Sequence, residues 1–187
     1  MARVTLRRAT TKDAVWLDRW DRDPDVVACS TDDPNAQIAF DDVEWREELG
    51  AQNEFSQWFI GELDGRPIGA MQICDPHLEA SHYWGEMAPN LRAIDIWIGG
   101  PDDRGKGHGG EMMRVALDMC FADAHVTGIV IVPLASNERA HRFYRRLGFT
   151  PVGRRRFGRD DCLVHELTRS DWLAPASPER AARSTLR

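Results

Sequence analysis

Apolar and polar positions change period several times along the chain, and each change predicts an element. Residues 3 to 8, RVTLRR, read as a short strand. Thr11-Lys12-Asp13 opens a helix that turns Val15, Trp16, Leu17 and Trp20 towards a core, and Asp23-Pro24 closes it. From 24 to 40 the sequence is polar and proline-bearing, with CSTDDPNA at its centre, which predicts a linker or a mobile substrate loop. Val43 to Leu49 predicts a second helix. Phe55 to Glu62 and Pro67 to Cys74 are apolar runs joined by Asp64-Gly65, which predicts an antiparallel hairpin. Asp75 to Leu91 is rich in His, Pro and aromatic residues, and AIDIWIG (93 to 99) then reads as a strand.

A glycine-rich loop follows that strand. Beyond it, Glu111 to Ala122 is apolar nearly all round, as a helix buried against a sheet would be. Gly128 to Val132 predicts a short buried strand. Asn137 caps a helix whose Ala140, Phe143, Tyr144 and Leu147 form one apolar stripe, with Gly148 as its stop. Phe149 to Arg156 and Cys162 to Leu167 predict a last strand pair. The order implies a mixed α/β (α+β) fold with an antiparallel-rich sheet, one domain over residues 1–172 and a polar tail over 173–187.

Composition narrows the class without deciding it. A chain of 187 residues can bury a core without disulfides or metals, and its four scattered cysteines form no metal or redox motif. Neither a signal peptide nor a membrane span is written in it, so a cytoplasmic protein is expected. The 24 basic and 30 acidic side chains give −6, which argues against nucleic acid and suits a cationic partner.

The stretch PDDRGKGHGGEMM (101 to 113) fits three phosphate-binding patterns. Gly100, Gly105 and Lys106 have the spacing of a nucleotide P-loop, but Gly107 stands where magnesium wants a hydroxyl. Gly105, Gly107 and Gly110 have the spacing of a dinucleotide fingerprint, but the preceding strand ends too early and the next carries no ribose-binding acid. Arg104, Gly107 and Gly109 have the spacing R-x-x-G-x-G, which needs only a strand, inward amides and a helix N-terminus. A plain solvent turn stays open beside all three.

RGKGHGGEMM followed by SNERAHRFYRRLGF resembles the GCN5-related N-acetyltransferases, the GNAT family, whose second motif is N-x-R-A-x-x-x-Y-x-x-x-G-F. The likeness extends upstream through TLRRATTKDAVWLDRWDRDPDV and FIGELDGRPIGAMQI, over about residues 3 to 170. Within the family, YWGEMAPNLRAIDIWIG resembles the aminoglycoside 6'-N-acetyltransferases, antibiotic-resistance enzymes. The chain departs from them at Val132-Pro133, where they commonly carry an acid before the proline.

The resemblance implies the GNAT fold, a twisted sheet with helices on both faces, and acetyl-CoA as acetyl donor with no metal. It places the donor's pyrophosphate on Arg104, Gly105, Lys106, Gly107, His108, Gly109 and Gly110, and its pantetheine arm on Ile96, Trp97 and Ile98, with Asn137 and Ala140 alongside. It makes Tyr144 the acid that protonates the leaving thiolate, although spacing alone reads Tyr144 as a core residue and Asn137 as a helix cap. Asp95 interrupts an apolar strand on the face of Ala93 and Trp97; as an ordinary carboxylate it suits orienting the amine or passing its proton through water. Tyr83, Trp84, Glu86, Asp160 and Asp161 are candidates to surround a cationic acceptor with acids and aromatic faces.

The expected reaction is direct acetyl transfer to a primary amine of a small cationic molecule, an aminoglycoside among the candidates, by a monomer or homodimer. A protein N-terminus or lysine is the alternative acceptor, and a non-catalytic acyl-CoA-binding module the alternative class. His125, His141 and His165 read as isolated surface or core residues, and RRRFGR (154 to 159) as a solvated hairpin.

Overall fold

The computed structural model describes residues 3–41, 43–80 and 83–174. Seven strands form one sheet: β1 (Val4–Arg8), β2 (Ser56–Leu63), β3 (Arg66–Cys74), β4 (Leu91–Ile98), β5 (Gly128–Ile131), β6 (Thr150–Phe157) and β7 (Asp160–Thr168). Their order is β1-β2-β3-β4-β5-β7-β6, and every neighbouring pair is antiparallel except β4–β5. The helices are α1 (Ala14–Asp21), α2 (Pro24–Ser30), α3 (Trp45–Gly50), α4 (His108–Ala122), α5 (Glu138–Leu147) and α6 (Arg169–Leu173).

The alternation along β4 divides the helices between the sheet's faces. Ile94 joins Met71, Phe59 and Ile129 under α4, whose Met112, Met113, Ala116 and Leu117 are fully buried, and Tyr144 of α5 completes that core. On the other face Trp97 packs against the cluster that α1 and α3 build from Leu17, Trp20, Trp45 and Leu49. Ala93 leads a third cluster with Cys74, Trp84, Phe157 and Cys162. Asp95 therefore emerges between two apolar clusters.

Two elements differ from the sequence expectation. The stretch after Asp23 is helical from Pro24 to Ser30, because Asp23 caps it by accepting from the Asp25 amide at 3.0 Å and Pro24 supplies a preset φ at its first position. Asp-Pro, read as the end of one helix, is the start of the next. The helix after the glycine loop begins at His108, three residues before the predicted Glu111, so Gly109 and Gly110 lie in its first turn. The tail expected from 173 begins with the end of α6; beyond Ala174 it lies outside the described residues. No described helix is long and apolar enough to cross a membrane.

Candidate active site

Strands β4 and β5 pair only from Leu91↔Gly128 to Ala93↔Val130, whereas β3 stays paired with β4 as far as Ile98. Beyond Ala93 a gap therefore opens on the β5 side of β4. The Gly99 amide donates back to Ile68 O at 2.9 Å, so by the period of two the backbone groups of Ile96 and Ile98 point into that gap. Those of Trp97 belong to the β3 ladder, and its side chain lies 5.2 to 6.0 Å, ring to ring, from Phe40, Trp58 and Trp45.

The glycine loop borders the gap. Gly107 caps α4 with φ of 90°, a left-handed conformation that costs glycine nothing. Gly110 N and Glu111 N both donate to Gly107 O, and among the described residues the amides of Gly105, Lys106, Gly107, His108 and Gly109 have no acceptor. Five free donors at the start of a fifteen-residue helix form an anion cradle. A Cβ on Gly109 or Gly110 would meet no protein atom closer than 3.8 Å, and on Gly105 none within 4 Å. Protein packing does not demand Gly109 or Gly110, whereas Gly105 sits at a φ of 74° that favours glycine. Both His108 ring nitrogens are buried without a partner among the described residues. Arg104 is committed elsewhere: its guanidinium donates to Ile98 O (3.1 Å), Gly99 O (2.7 Å) and Asp25 (2.6 Å), and lies 2.7 Å from Asp23.

Asp95 on β4 and Tyr144 on α5 are close enough to interact electrostatically. Asp95 is half-buried and, among the described residues, has neither a hydrogen-bond donor nor a counter-ion; loss of water pushes its carboxyl up to about 6. That shift narrows the mismatch between a carboxylate and an amine's proton. Tyr144 is 8% exposed, packs against Phe143, Phe149 and His165, and spends its hydroxyl on no described partner. Burial, and then the charge of Asp95, hold its phenol above the ordinary range. Burial first, and the charge of Asp95 among later contributions, raises Tyr83, Cys74 and Cys162 as well.

Asn137 caps α5 by accepting from the Ala140 amide at 3.0 Å, which orients the helix that carries Tyr144. His141 and His165 are not isolated: both are buried, and His141 Nδ1 lies 3.0 Å from His165 Nε2.

The predicted acceptor wall is partly rearranged. Tyr83 is exposed and stacks on Phe157 at 4.7 Å, whereas Trp84 is a core residue, 4% exposed. Glu86 lies on a separate cavity of about 590 Å³ with His77, Gly85 and Met87. Asp160 accepts from Thr31 Oγ1 (2.9 Å) and the Asp32 amide (2.7 Å), and Asp161 pairs with Arg154 at 3.3 Å. Sequence reasoning missed the partner of these acids. The α2 segment and Thr31–Asp33 span from the glycine loop to the β6–β7 hairpin, where Arg159 pairs with Asp33, and the segment from Arg22 to Gln37 itself lines a cavity of about 450 Å³. Cys29 on α2 adds to the electrostatic environment of Tyr144.

Residues 9–157 match the profile of the acetyltransferase (GNAT) domain. The chain belongs to the GNAT acetyltransferase family. It is 30% identical over 152 residues, 80% of this chain and 75% of theirs, to the aminoglycoside N(6')-acetyltransferases type 1 of Klebsiella pneumoniae and Serratia marcescens. Among solved structures it is similar to AAC(6')-Ib in complex with paromomycin and acetyl-CoA (TM-score 0.78, 28% identity, 94% of this chain and 98% of that one). The complex with ribostamycin and coenzyme A gives a TM-score of 0.77 at the same identity and coverage. This GNAT enzyme is an N-acetyltransferase whose donor is acetyl-CoA. The free loop amides, the space at Gly109 and Gly110 and the open edge of β4 fit that donor.

Proposed function

We propose that the protein acetylates a primary amine of a small cationic molecule, with the 6'-amine of an aminoglycoside as its acceptor class, by direct transfer while donor and acceptor are bound together. One observation carries the reading: Asp95 interrupts an apolar strand with no hydrogen-bond donor or counter-ion among the described residues, and its charge reaches the Tyr144 phenol. Solved neighbours of this chain hold ribostamycin, paromomycin or kanamycin, which supports an aminoglycoside as acceptor. Buried free thiols at Cys74, Cys120 and Cys162 support a reducing, cytoplasmic setting.

Acetyl-CoA supplies an acetyl group activated as a thioester. Asp95, with its carboxyl near 6, is ionised at neutral pH and attracts the acceptor's ammonium. It takes the amine's proton directly or through one water, which frees the nitrogen lone pair. The backbone of Ile96, aimed into the gap, offers an amide to the thioester oxygen. As nitrogen bonds to the acyl carbon and the carbon–sulfur bond breaks, Tyr144 gives its proton to the sulfur. The second proton leaving the nitrogen as the amide forms restores the Tyr144 phenol through water, and Asp95 releases its own proton to solvent. Asp160 and Asp161 add negative charge at the cleft mouth, and Tyr83 an exposed aromatic face.

The test is a panel of aminoglycosides, polyamines and peptides incubated with acetyl-CoA, with thiol release as the signal. Aminoglycoside turnover with the 6'-nitrogen acetylated is expected. Turnover confined to peptides or polyamines would overturn the acceptor assignment.

A further inference from the structure

Arg104 is the only arginine of the R-x-x-G-x-G segment, and its surroundings are not those of a phosphate ligand. Its side chain is 12% exposed, and four of the five guanidinium donors are used within the protein. Two go to the last carbonyls of β4, Ile98 O and Gly99 O, and two go to Asp23 and Asp25 at the start of α2. Asp23 already caps α2 through the Asp25 amide. Arg104 is covalently the first residue of the loop whose free amides precede and open α4. At its other end, α2 runs into Thr31 and Asp32, both bound to Asp160 beside the acceptor side of the cleft.

We infer that Arg104 is a positioning residue that couples the donor loop to α2, so that occupation of the loop by acetyl-CoA tightens the α2 strap over the acceptor side. The inference rests on the reading of the loop as the donor site. Arginine suits the task because one planar cation joins two carbonyls and two carboxylates that a lysine ammonium cannot span together. Coupling of this kind is reciprocal: whatever the filled loop does for the strap, an acceptor under the strap does for donor affinity.

Hydrogen exchange of the α2 amides, followed with and without acetyl-CoA, tests the coupling without requiring turnover. In the wild-type chain acetyl-CoA should slow exchange over residues 24–30 by about fivefold or more. Arg104→Lys, and separately the Asp23→Asn, Asp25→Asn double variant, should still bind acetyl-CoA by titration calorimetry yet lose that protection. The double variant leaves the loop arginine in place and removes negative charge only on the α2 side, where Asp25 is 75% exposed, so it keeps the fold if Arg104→Lys does not. Acetyl-CoA binding with no added protection of α2, or with protection that persists in the double variant, would overturn the coupling and leave the proposed function standing. Failure of the wild-type chain to bind acetyl-CoA would overturn both.

Discussion

His141 Nδ1 on α5 lies 3.0 Å from His165 Nε2 on β7, and the tautomers of both rings follow from their other neighbours. The Ala135 carbonyl, 3.1 Å from His141 Nε2, can only accept, so Nε2 carries the His141 proton and Nδ1 accepts from His165 Nε2–H. His165 Nδ1 is then a bare, buried acceptor with no partner among the described residues. Burial, followed by the nearby charges of His141 and Arg145, lowers His165 to about 4. A histidine whose folded value is depressed binds its proton more readily in the unfolded chain. Its stabilising contribution is complete above about 6.5 and is lost as pH falls towards 4, with a slope of at most about 1.4 kcal/mol per pH unit. Urea unfolding between pH 4 and 7 should show this loss, and His165→Gln, which keeps a donor and removes the titration, should flatten it relative to wild type. Parallel curves for the two proteins would show that His165 does not titrate in that window.

Asp95 has the opposite linkage. Its folded value of about 6 lies above the ordinary 3.8, so its contribution to stability is complete below about 3.8 and is lost as pH rises through 6. Above pH 6 the fold carries a half-buried charge with no counter-ion among the described residues. Asp95→Asn should therefore melt at or above the wild-type temperature at pH 7.5, while kcat falls by about 10² to 10⁴, the usual range for loss of a general base. In the wild-type enzyme kcat/KM should rise with pH through an apparent value near 6, and the variant should lack that limb. A melting temperature well below wild type, with a preserved limb, would place the acid–base group elsewhere.

For Tyr144 a core residue and an acid both predict burial, so substitution is what separates them. At 8% exposure the residue is buried, and its hydroxyl has no hydrogen-bond partner among the described residues. Tyr144→Phe should keep the packing against Phe149 and His165, hold acetyl-CoA affinity within about threefold, and lower kcat by about 10² or more. Because burial and Asp95 hold the phenol above its ordinary value, no alkaline loss of activity from Tyr144 should appear below about pH 10. An unchanged kcat would remove Tyr144 from the chemistry.

The strands and the two long motifs were legible in the sequence because each rests on local pattern: period-two runs, Asp64-Gly65, the Asn137 cap and the stop at Gly148. What was not legible depends on contacts distant in sequence. Arg104 fits a phosphate pattern as a string, and only its approach to Asp23 and Asp25, about 80 positions earlier, commits it to structure. Asp160 is an acid on a turn until Thr31 and Asp32 fold onto it. His141 and His165 stand 24 positions apart and meet only when α5 packs on β7. Asp23-Pro24 reads as a stop, and α1 does end just before it, but a cap followed by proline also starts a helix, and that second meaning goes unread in the sequence.

Gly109 offers a test in which stability and binding move in opposite directions. It lies in the first turn of α4 with ordinary negative φ, where glycine is worse than alanine by up to about 1 kcal/mol. An alanine methyl there would sit 3.8 Å from Ile98 and Phe143, an ordinary contact. Nothing in the protein opposes it, so Gly109→Ala should raise the melting temperature. If the loop amides cradle the donor's pyrophosphate, the same methyl intrudes on that space, and the dissociation constant for acetyl-CoA should rise about tenfold or more, as loss of about 1.4 kcal/mol requires. Gly107→Ala is the contrast: its φ of 90° makes any side chain strained, so that variant should lose both stability and binding. A Gly109→Ala protein that is more stable and binds acetyl-CoA as well as wild type would show that the loop holds the donor some other way than by close approach of its backbone.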